Sequence, residues 1–408
     1  MSVTPYKINV PEDKITRLKQ KLAAADLPDE LEDAGWKQGS PLADVKRLAE
    51  YWRDEFDWRQ AEAELNQMPQ FMTTIQIDGF DPIDLHFVHV KSRAPNAIPL
   101  LFCHGWPGSF DEVSKLLPLL VDGAGDDKPA FDIVAPSLPS YGFSSGVKKM
   151  GFSSAEIARV FNKLMTEVLG YQEYVTQGGD IGYSVTRCLG YLFPEHCKAS
   201  HYNVSNPKPP SETYFPELYK EYQATPRTQA ELDGFARTEW FNREGSGYMK
   251  EHMTKPQTIG YALTDSPVAL LAWIYEKLHD WTDSYPFTDY EVCKWISIYW
   301  FSRAGPAESL RIYYELMHDA RPVSSTTVGT ATYLKGVKLG FGLFPKDLFV
   351  FPLLWNKTLG DVVLNKMHSS GGHFAAFERP QDIANDLHEM FGRGGGAYGV
   401  VNGRTGYA

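Results

Sequence analysis

Gly178-Gly179-Asp180-Ile181-Gly182 sets a carboxylate among small residues, after Val175-Thr176 and ahead of Ser184-Val185-Thr186-Arg187. Strand, tight turn and helix in that order make the setting of a G-x-S-x-G elbow, where a strained turn exposes the central side chain as a nucleophile. Small neighbours let adjacent backbone approach closely. With Asp180 at the centre the chemistry is displacement: a carboxylate attacks an sp3 carbon bearing a leaving group and becomes an alkyl ester. A Gly-Gly-Asp stretch alone is also an ordinary turn, so the reading rests on its company.

That company is of two kinds. His104-Gly105-Trp106-Pro107-Gly108 follows the apolar run Leu100-Leu101-Phe102-Cys103. A glycine- and proline-rich turn placed there can build an oxyanion hole, with the Trp106 N–H as one donor and the Ile181 N–H as its partner. Downstream, Gly371-Gly372-His373-Phe374 exposes a base between a strand and a final helix. Chain order then asks for an acid between Asp180 and His373. Asp347 in Phe344-Pro345-Lys346-Asp347 lies just past a strand's C-terminal end and is favoured, with Asp361, at the start of the next strand, as the competitor. His368 and His104 read as structural, the latter packing under the oxyanion turn.

The elements that must position these residues follow from periodicity. Apolar residues recur at helical spacing over 13–25 and 42–65, as in Leu18 and Leu22 or Val45, Leu48 and Trp52. Alternation over 73–77 and 83–90, split by Asp78-Gly79, predicts two strands at a sheet edge. Short apolar strands over 98–103, 133–135, 174–176 and 198–203 alternate with helices near 110–120, 155–169 and 184–192, a doubly wound α/β pattern with a mostly parallel sheet. Strand signals vanish over 211–319, rich in Tyr and Trp, and resume over 337–341 and 362–365 before a helix over 380–391. The expected organisation is an N-terminal region over 1–95, a core over 96–206 and 326–391, a helical lid inserted over 207–325, and a glycine-dense tail or arm over 392–408.

A chain of 408 residues exceeds the usual size of one hydrophobic core. A hydrophobic share of 43% and a charged share of 22% fit a folded soluble protein. The net charge of -11, without a Lys/Arg block, argues against nucleic acid as a partner. No apolar run is long enough for a signal peptide or a bilayer span, so no membrane anchor and a cytoplasmic location are expected. Cys103, Cys188, Cys197 and Cys293 form no C-x-x-C pair, and His86 and His89 should face opposite sides of one strand. Neither a metal nor a cofactor is therefore expected.

The departing atom separates the remaining reactions. A halide needs only N–H donors, whereas an epoxide oxygen departs as an alkoxide and needs an acid that is neutral at working pH, a task for tyrosine. Tyr248 in Gly245-Ser246-Gly247-Tyr248 and Tyr313 in Arg311-Ile312-Tyr313-Tyr314-Glu315 lie in the expected lid, but with 22 tyrosines in the chain spacing does not select them.

Nearly the whole chain resembles the fungal soluble branch of the microsomal-type epoxide hydrolases. The resemblance runs from Tyr51-Trp52-Arg53 and Leu85-His86-Phe87-Val88-His89-Val90 to Gly371-Gly372-His373-Phe374-Ala375. It implies the α/β-hydrolase fold, Asp180 as nucleophile, His373 as base and Asp347, from the Phe-Pro-Lys-Asp run, as the acid. It implies Tyr248, from a Ser-Gly-Tyr-Met run, and Tyr313 as lid acids, with Tyr314 leaving the second match ambiguous by one position. A cis Trp106–Pro107 bond, a homodimer through the lid, and water with a small apolar epoxide as substrates are implied as well. The lid aromatics point to bulky apolar epoxides, aromatic ones included, and to their detoxification. The alternatives are a haloalkane dehalogenase, whose pattern has Trp where Ile181 stands, and a non-catalytic receptor on the same fold.

Overall fold

The computed structural model describes residues 2–122, 127–321 and 323–407. Among these residues one sheet holds nine strands: β1 (Val3–Tyr6), β2 (Gln70–Ile75), β3 (Ile83–Val90), β4 (Ile98–Cys103), β5 (Phe131–Pro136), β6 (Tyr174–Gly178), β7 (Cys197–Tyr202), β8 (Leu334–Leu343) and β9 (Gly360–Met367). They lie in the order β1-β2-β3-β5-β4-β6-β7-β8-β9. The first three run antiparallel, β3 meets β5 antiparallel, and every pairing from β5 to β9 is parallel. β4 and β5 are buried at every position, which is why β4 reads as an unbroken apolar run; β5 is interrupted by Asp132, whose carboxylate accepts from the Ser92 N–H at 2.9 Å. On β3, His86 is buried between Gln70 and Ser137 while His89 meets Tyr171 across the other face, as a two-residue period requires.

Four expectations need correcting. The strands over 73–77 and 83–90 do not form the sheet's edge, because β1 pairs outside β2 and leaves both as interior strands. The helix expected over 42–65 is two helices, Leu42–Asp54 and Trp58–Leu65, because Asp57 accepts from the Arg59 N–H at 2.8 Å and starts the second one. The one expected over 110–120 is a 3-10 turn capped by Ser109 and Glu112, then a short helix with Pro in its first turn. The glycine-dense segment is no free tail: Ala130 N–H donates to Gly406 O at 2.8 Å, Gly406 N–H to Asn96 O at 2.7 Å, and Ala397 and Val401 are buried.

Between β7 and β8 the chain forms a cap of helices, among them Gln229–Trp240, Gly247–Thr254, Pro267–Asp280, Asp289–Trp300 and Arg311–His318. The N-terminal helices pack against it. Trp36 stacks on His279 with centroids 3.5 Å apart, and the buried Trp52 donates its ring N–H to Ser297 Oγ at 2.9 Å. Burial of a side chain of this size stabilises by roughly 2–3 kcal/mol, so the N-terminal helices anchor the cap.

The helix Asp180–Leu192 crosses directly over the end of β4. A Cβ at position 182 would overlap the Cys103 carbonyl, and one at 178 would meet Gly182 O at 2.8 Å. Glycine at both positions is therefore a condition of closure. Replacing Gly182 with Ala should cost about 3 kcal/mol or more, because backbone cannot yield as a flexible side chain does; chemical denaturation measures it, and an unchanged midpoint would contradict this packing.

Candidate active site

Every proposed site residue except the tyrosines sits at the C-terminal end of a parallel strand, where open α/β sheets place their sites. Asp180 follows β6 with φ 51, a left-handed conformation unusual for a non-glycine residue. That strain points its carboxylate out of the turn. The helix begins at Asp180 itself, so the Ile181 N–H belongs to a first turn whose donors lack helical partners.

Trp106, beyond β4, donates its backbone N–H to Asp180 Oδ1 at 2.8 Å, next to a cis peptide bond to Pro107. His373 Nε2 lies 3.3 Å from Asp180 Oδ2, and its Nδ1 lies 2.6 Å from Asp347 Oδ1. Asp347 Oδ1 also accepts from the Leu348 N–H at 2.6 Å. The structure thus brings Asp347 to His373, and not the competitor Asp361, which pairs with Lys338 at 2.6 Å. Lys346 N–H donates to Gly371 O at 3.0 Å, joining the loops that carry Asp347 and His373.

The glycines before His373 have a steric cause. Gly371 has φ 111, and a Cβ at Gly372 would overlap the Trp281 carbonyl, which accepts from the His373 N–H at 2.7 Å. Burial works against a charged His373, but the Asp347 and Asp180 carboxylates outweigh it and push the imidazole up to about 10. The resting site therefore holds an imidazolium between two carboxylates.

From the cap, Tyr248 and Tyr313 reach the same place. Both are buried, and their rings meet edge to face at 5.9 Å. Trp106 stacks on Tyr248 at 5.1 Å and meets Tyr313 edge-on at 5.8 Å. Burial raises both hydroxyls well above the usual range for tyrosine, and the Asp180 charge adds to it, so both remain O–H donors. Tyr314, the alternative by sequence, stacks on His318 instead. A cavity of about 220 Å³ is lined by Asp180, His373, Tyr248 and Tyr313 together with apolar side chains such as Met253 and Phe349.

His104 donates no side chain to this cavity wall as a base would. Its ring lies near Gly105 O at 3.0 Å and accepts from the Leu138 N–H at 3.1 Å, while His368 pairs with Asp386 at 2.8 Å. Three contributors escaped the sequence. Trp281 anchors the His373 backbone and packs its ring 5.0 Å from the imidazole and 5.2 Å from Tyr248. Arg237 donates to the Asp347 and Lys346 carbonyls at 3.1 and 3.0 Å. Glu112 is buried beside Asp180 and His373. None carries a local motif, save that Ser109 and Glu112 have capping-box spacing.

Among the described residues no group of three His, Cys, Asp or Glu side chains could hold a metal ion, and no helix is long and apolar enough to cross a membrane.

Comparison with known proteins bears on the fold and the family. Residues 3–113 match the family model for the epoxide hydrolase N terminus, and residues 98–290 that for the alpha/beta hydrolase fold. Epoxide hydrolase 1 of Sus scrofa is 35% identical over 96% of this chain and 89% of its own length. The solved Aspergillus niger epoxide hydrolase superposes with a TM-score of 0.79 at 34% identity, covering 95% of each chain. The juvenile hormone epoxide hydrolase of Bombyx mori gives 0.84 at 29% identity, covering 95% of this chain and 93% of its own. With the N-terminal strands, the sheet and the helical cap all included in these matches, the chain belongs to the epoxide hydrolase family.

Proposed function

We propose that this enzyme opens an epoxide by attack of Asp180 Oδ2 and hydrolyses the resulting ester with water activated by His373. The observation that carries the reading is the division of labour at one carboxylate: Oδ1 accepts from the Trp106 N–H at 2.8 Å, while Oδ2 lies 3.3 Å from His373 in the cavity that also holds Tyr248 and Tyr313. Oδ1 becomes the ester carbonyl, already beside one oxyanion donor, with the Ile181 N–H as the second.

In the first step the Asp180 Oδ2–carbon bond forms, the ring C–O bond breaks, and a tyrosine hydroxyl protonates the departing oxygen. Esterification removes one of the two anions that held the His373 proton. That proton can then restore the tyrosinate, leaving a neutral imidazole. In the second step His373 takes a proton from water, the hydroxide attacks Asp180 Cγ, and the Cγ–O bond to the alkyl group breaks. The second water proton ends on the diol, and Asp180 and the imidazolium are regenerated. Asp347 holds the imidazole by Nδ1 throughout.

A dehalogenase would need halide donors, and Ile181 offers no indole N–H where that class carries Trp. The apolar lining of the cavity favours small to bulky apolar epoxides, aromatic ones included, with water as the second substrate and no cofactor or nucleic acid as partner. The same reading takes residues 207–325 as a lid between two core segments, 96–206 and 326–391, gripped by the N-terminal region 1–95. A cytoplasmic enzyme, dimeric through the lid, completes it; sedimentation equilibrium tests the dimer.

Replacing either Tyr248 or Tyr313 with Phe should slow ester formation by roughly 10²-fold, and replacing both should nearly abolish it, with Tyr314→Phe unchanged. Ring opening at the wild-type rate in the double variant, read by rapid quench, would refute the acid roles. His373→Gln should slow ester hydrolysis by about 10²–10⁴-fold, so that a covalent adduct accumulates on the Asp180 peptide. In heavy-oxygen water a single wild-type turnover should give unlabelled diol and labelled Asp180; label in the diol would demote Asp180 to a general base. Because His373 must be neutral in the second step, ester hydrolysis should accelerate as pH rises, with a midpoint below about 10, since the esterified site has lost the Asp180 charge. A rate that falls over that range would contradict the base role.

A further inference from the structure

A second cavity of about 20 Å³ also borders the Asp180–His373 pair, with Gly105, Glu112, Gln177 and Asn203 among its walls beside apolar side chains such as Phe102 and Phe374. We propose that it is a built site for the hydrolytic water and that Glu112 is the residue that positions that water. The inference rests on the two-step reading above.

The size admits one occupant. A single water needs about 10–15 Å³ of such space and two to four polar partners. The walls supply the partners. Gln177 donates through Nε2 to Asn203 Oδ1 at 2.9 Å, while its Oε1 is buried without a hydrogen-bond partner among the described residues. A buried acceptor left alone beside a water-sized space is what a bound water satisfies. His373 and Glu112 complete the set.

The location decides the role. Asp180 and His373 line both this cavity and the larger one that faces the tyrosines, so the pair borders both. An epoxide can occupy the apolar side while a water stays on the polar side. The ester then forms with its attacking water already in reach of both the base and the carbonyl carbon, and neither substrate must leave for the other to enter. In that attack the water oxygen bonds to Asp180 Cγ, one proton passes to His373 Nε2, and the other O–H points to a wall acceptor until the alkyl oxygen departs and takes it up.

Glu112 is fitted to this place beyond its part in a helix cap. Its Oε1 accepts from the Ser109 N–H at 3.1 Å, and a Cβ at Gly108 would overlap that carboxyl, so glycine at 108 makes the room for it. Burial pushes the carboxyl up to about 8 against the opposing effect of His373. At neutral pH it is an uncharged polar group, which can hold a water without setting a second negative charge beside the oxyanion that forms at Asp180. A cap alone needs one acceptor oxygen, which glutamine supplies as well.

The test separates the two chemical steps by rapid quench and intact mass. Glu112→Leu should leave ester formation unchanged and slow ester hydrolysis on the order of 10–100-fold, so that the covalent adduct builds up in the steady state. Glu112→Gln should restore hydrolysis to within a few-fold of wild type. Gln177→Met, which removes the opposite acceptor, should show the same selective slowing and carries the test if Glu112→Leu does not fold. Equal slowing of both steps, no slowing of either, or a Glu112→Gln variant as impaired as Glu112→Leu would overturn the assignment. His373→Gln is the control: an adduct there but in neither wall variant refutes the water site alone, whereas an adduct in none refutes the ester mechanism beneath it.

Discussion

In the proposed reaction the Asp180 carboxylate attacks carbon, so it must be held in place and kept ionised, and its contacts suit that demand. A backbone N–H at 2.8 Å and an imidazole at 3.3 Å hold its two oxygens separately. The imidazolium contact at 3.3 Å is longer than a close charge-assisted hydrogen bond, so the attacking oxygen is not tightly tied. Holding the side chain there requires the left-handed backbone at φ 51, and that turn is bearable only because the surrounding backbone leaves it no alternative. The glycines on either side, the Cys103 carbonyl beneath and the helix that starts at Asp180 all follow from that single demand.

The helical cap supplies what the sheet cannot. Strand ends deliver carboxylate, imidazolium and amide donors, all suited to forming and breaking an ester, but both ring nitrogens of His373 face carboxylates, Asp180 at 3.3 Å and Asp347 at 2.6 Å, and not a departing oxygen. In the proposed reaction two buried tyrosines supply that oxygen's proton, and the inserted helical segment brings them above the strand ends. Trp281 joins the two layers: its carbonyl fixes the His373 backbone while its ring packs against Tyr248 and the imidazole. The N-terminal region contributes at a distance. Trp36 and Trp52 pack on the outer helices of the cap, so the cap that carries Tyr248 and Tyr313 is held by contacts made far from them.

The site is also divided by polarity. The cavity beside Tyr248 and Tyr313 is faced mostly by apolar side chains, while the small second space mixes the Glu112 carboxyl, the Gln177 and Asn203 amides and the His104 ring with apolar side chains such as Phe102 and Phe374. Separate compartments suit a reaction whose two substrates differ most in polarity. They also explain the shift of His373 upward to about 10: with apolar walls on one side and little water on the other, the neighbouring carboxylates act on it almost unscreened.

What the sequence determined by itself is local. A Gly-Gly-Asp turn between strand and helix, a glycine- and proline-rich turn after a buried strand and a Gly-Gly-His after the last strand are written in contiguous residues, because backbone that must turn sharply or lie close to other backbone demands glycine at fixed positions. Period-two and period-3.6 patterns likewise marked most strands and helices, and failed where a neighbouring strand or a cap decides, as at β1 and at Asp57. A strand's C-terminal end favours Asp347 over Asp361, and the tertiary structure sets Asp347, not Asp361, 2.6 Å from His373. Tyr248 and Tyr313 were selected by resemblance, since a tyrosine's role depends on what it faces and 22 were available. Glu112, Gln177, Arg237 and Trp281 were decided by the tertiary structure alone. Each acts across a gap between segments far apart in the chain, and no spacing within one segment encodes which distant backbone or cavity a side chain will meet.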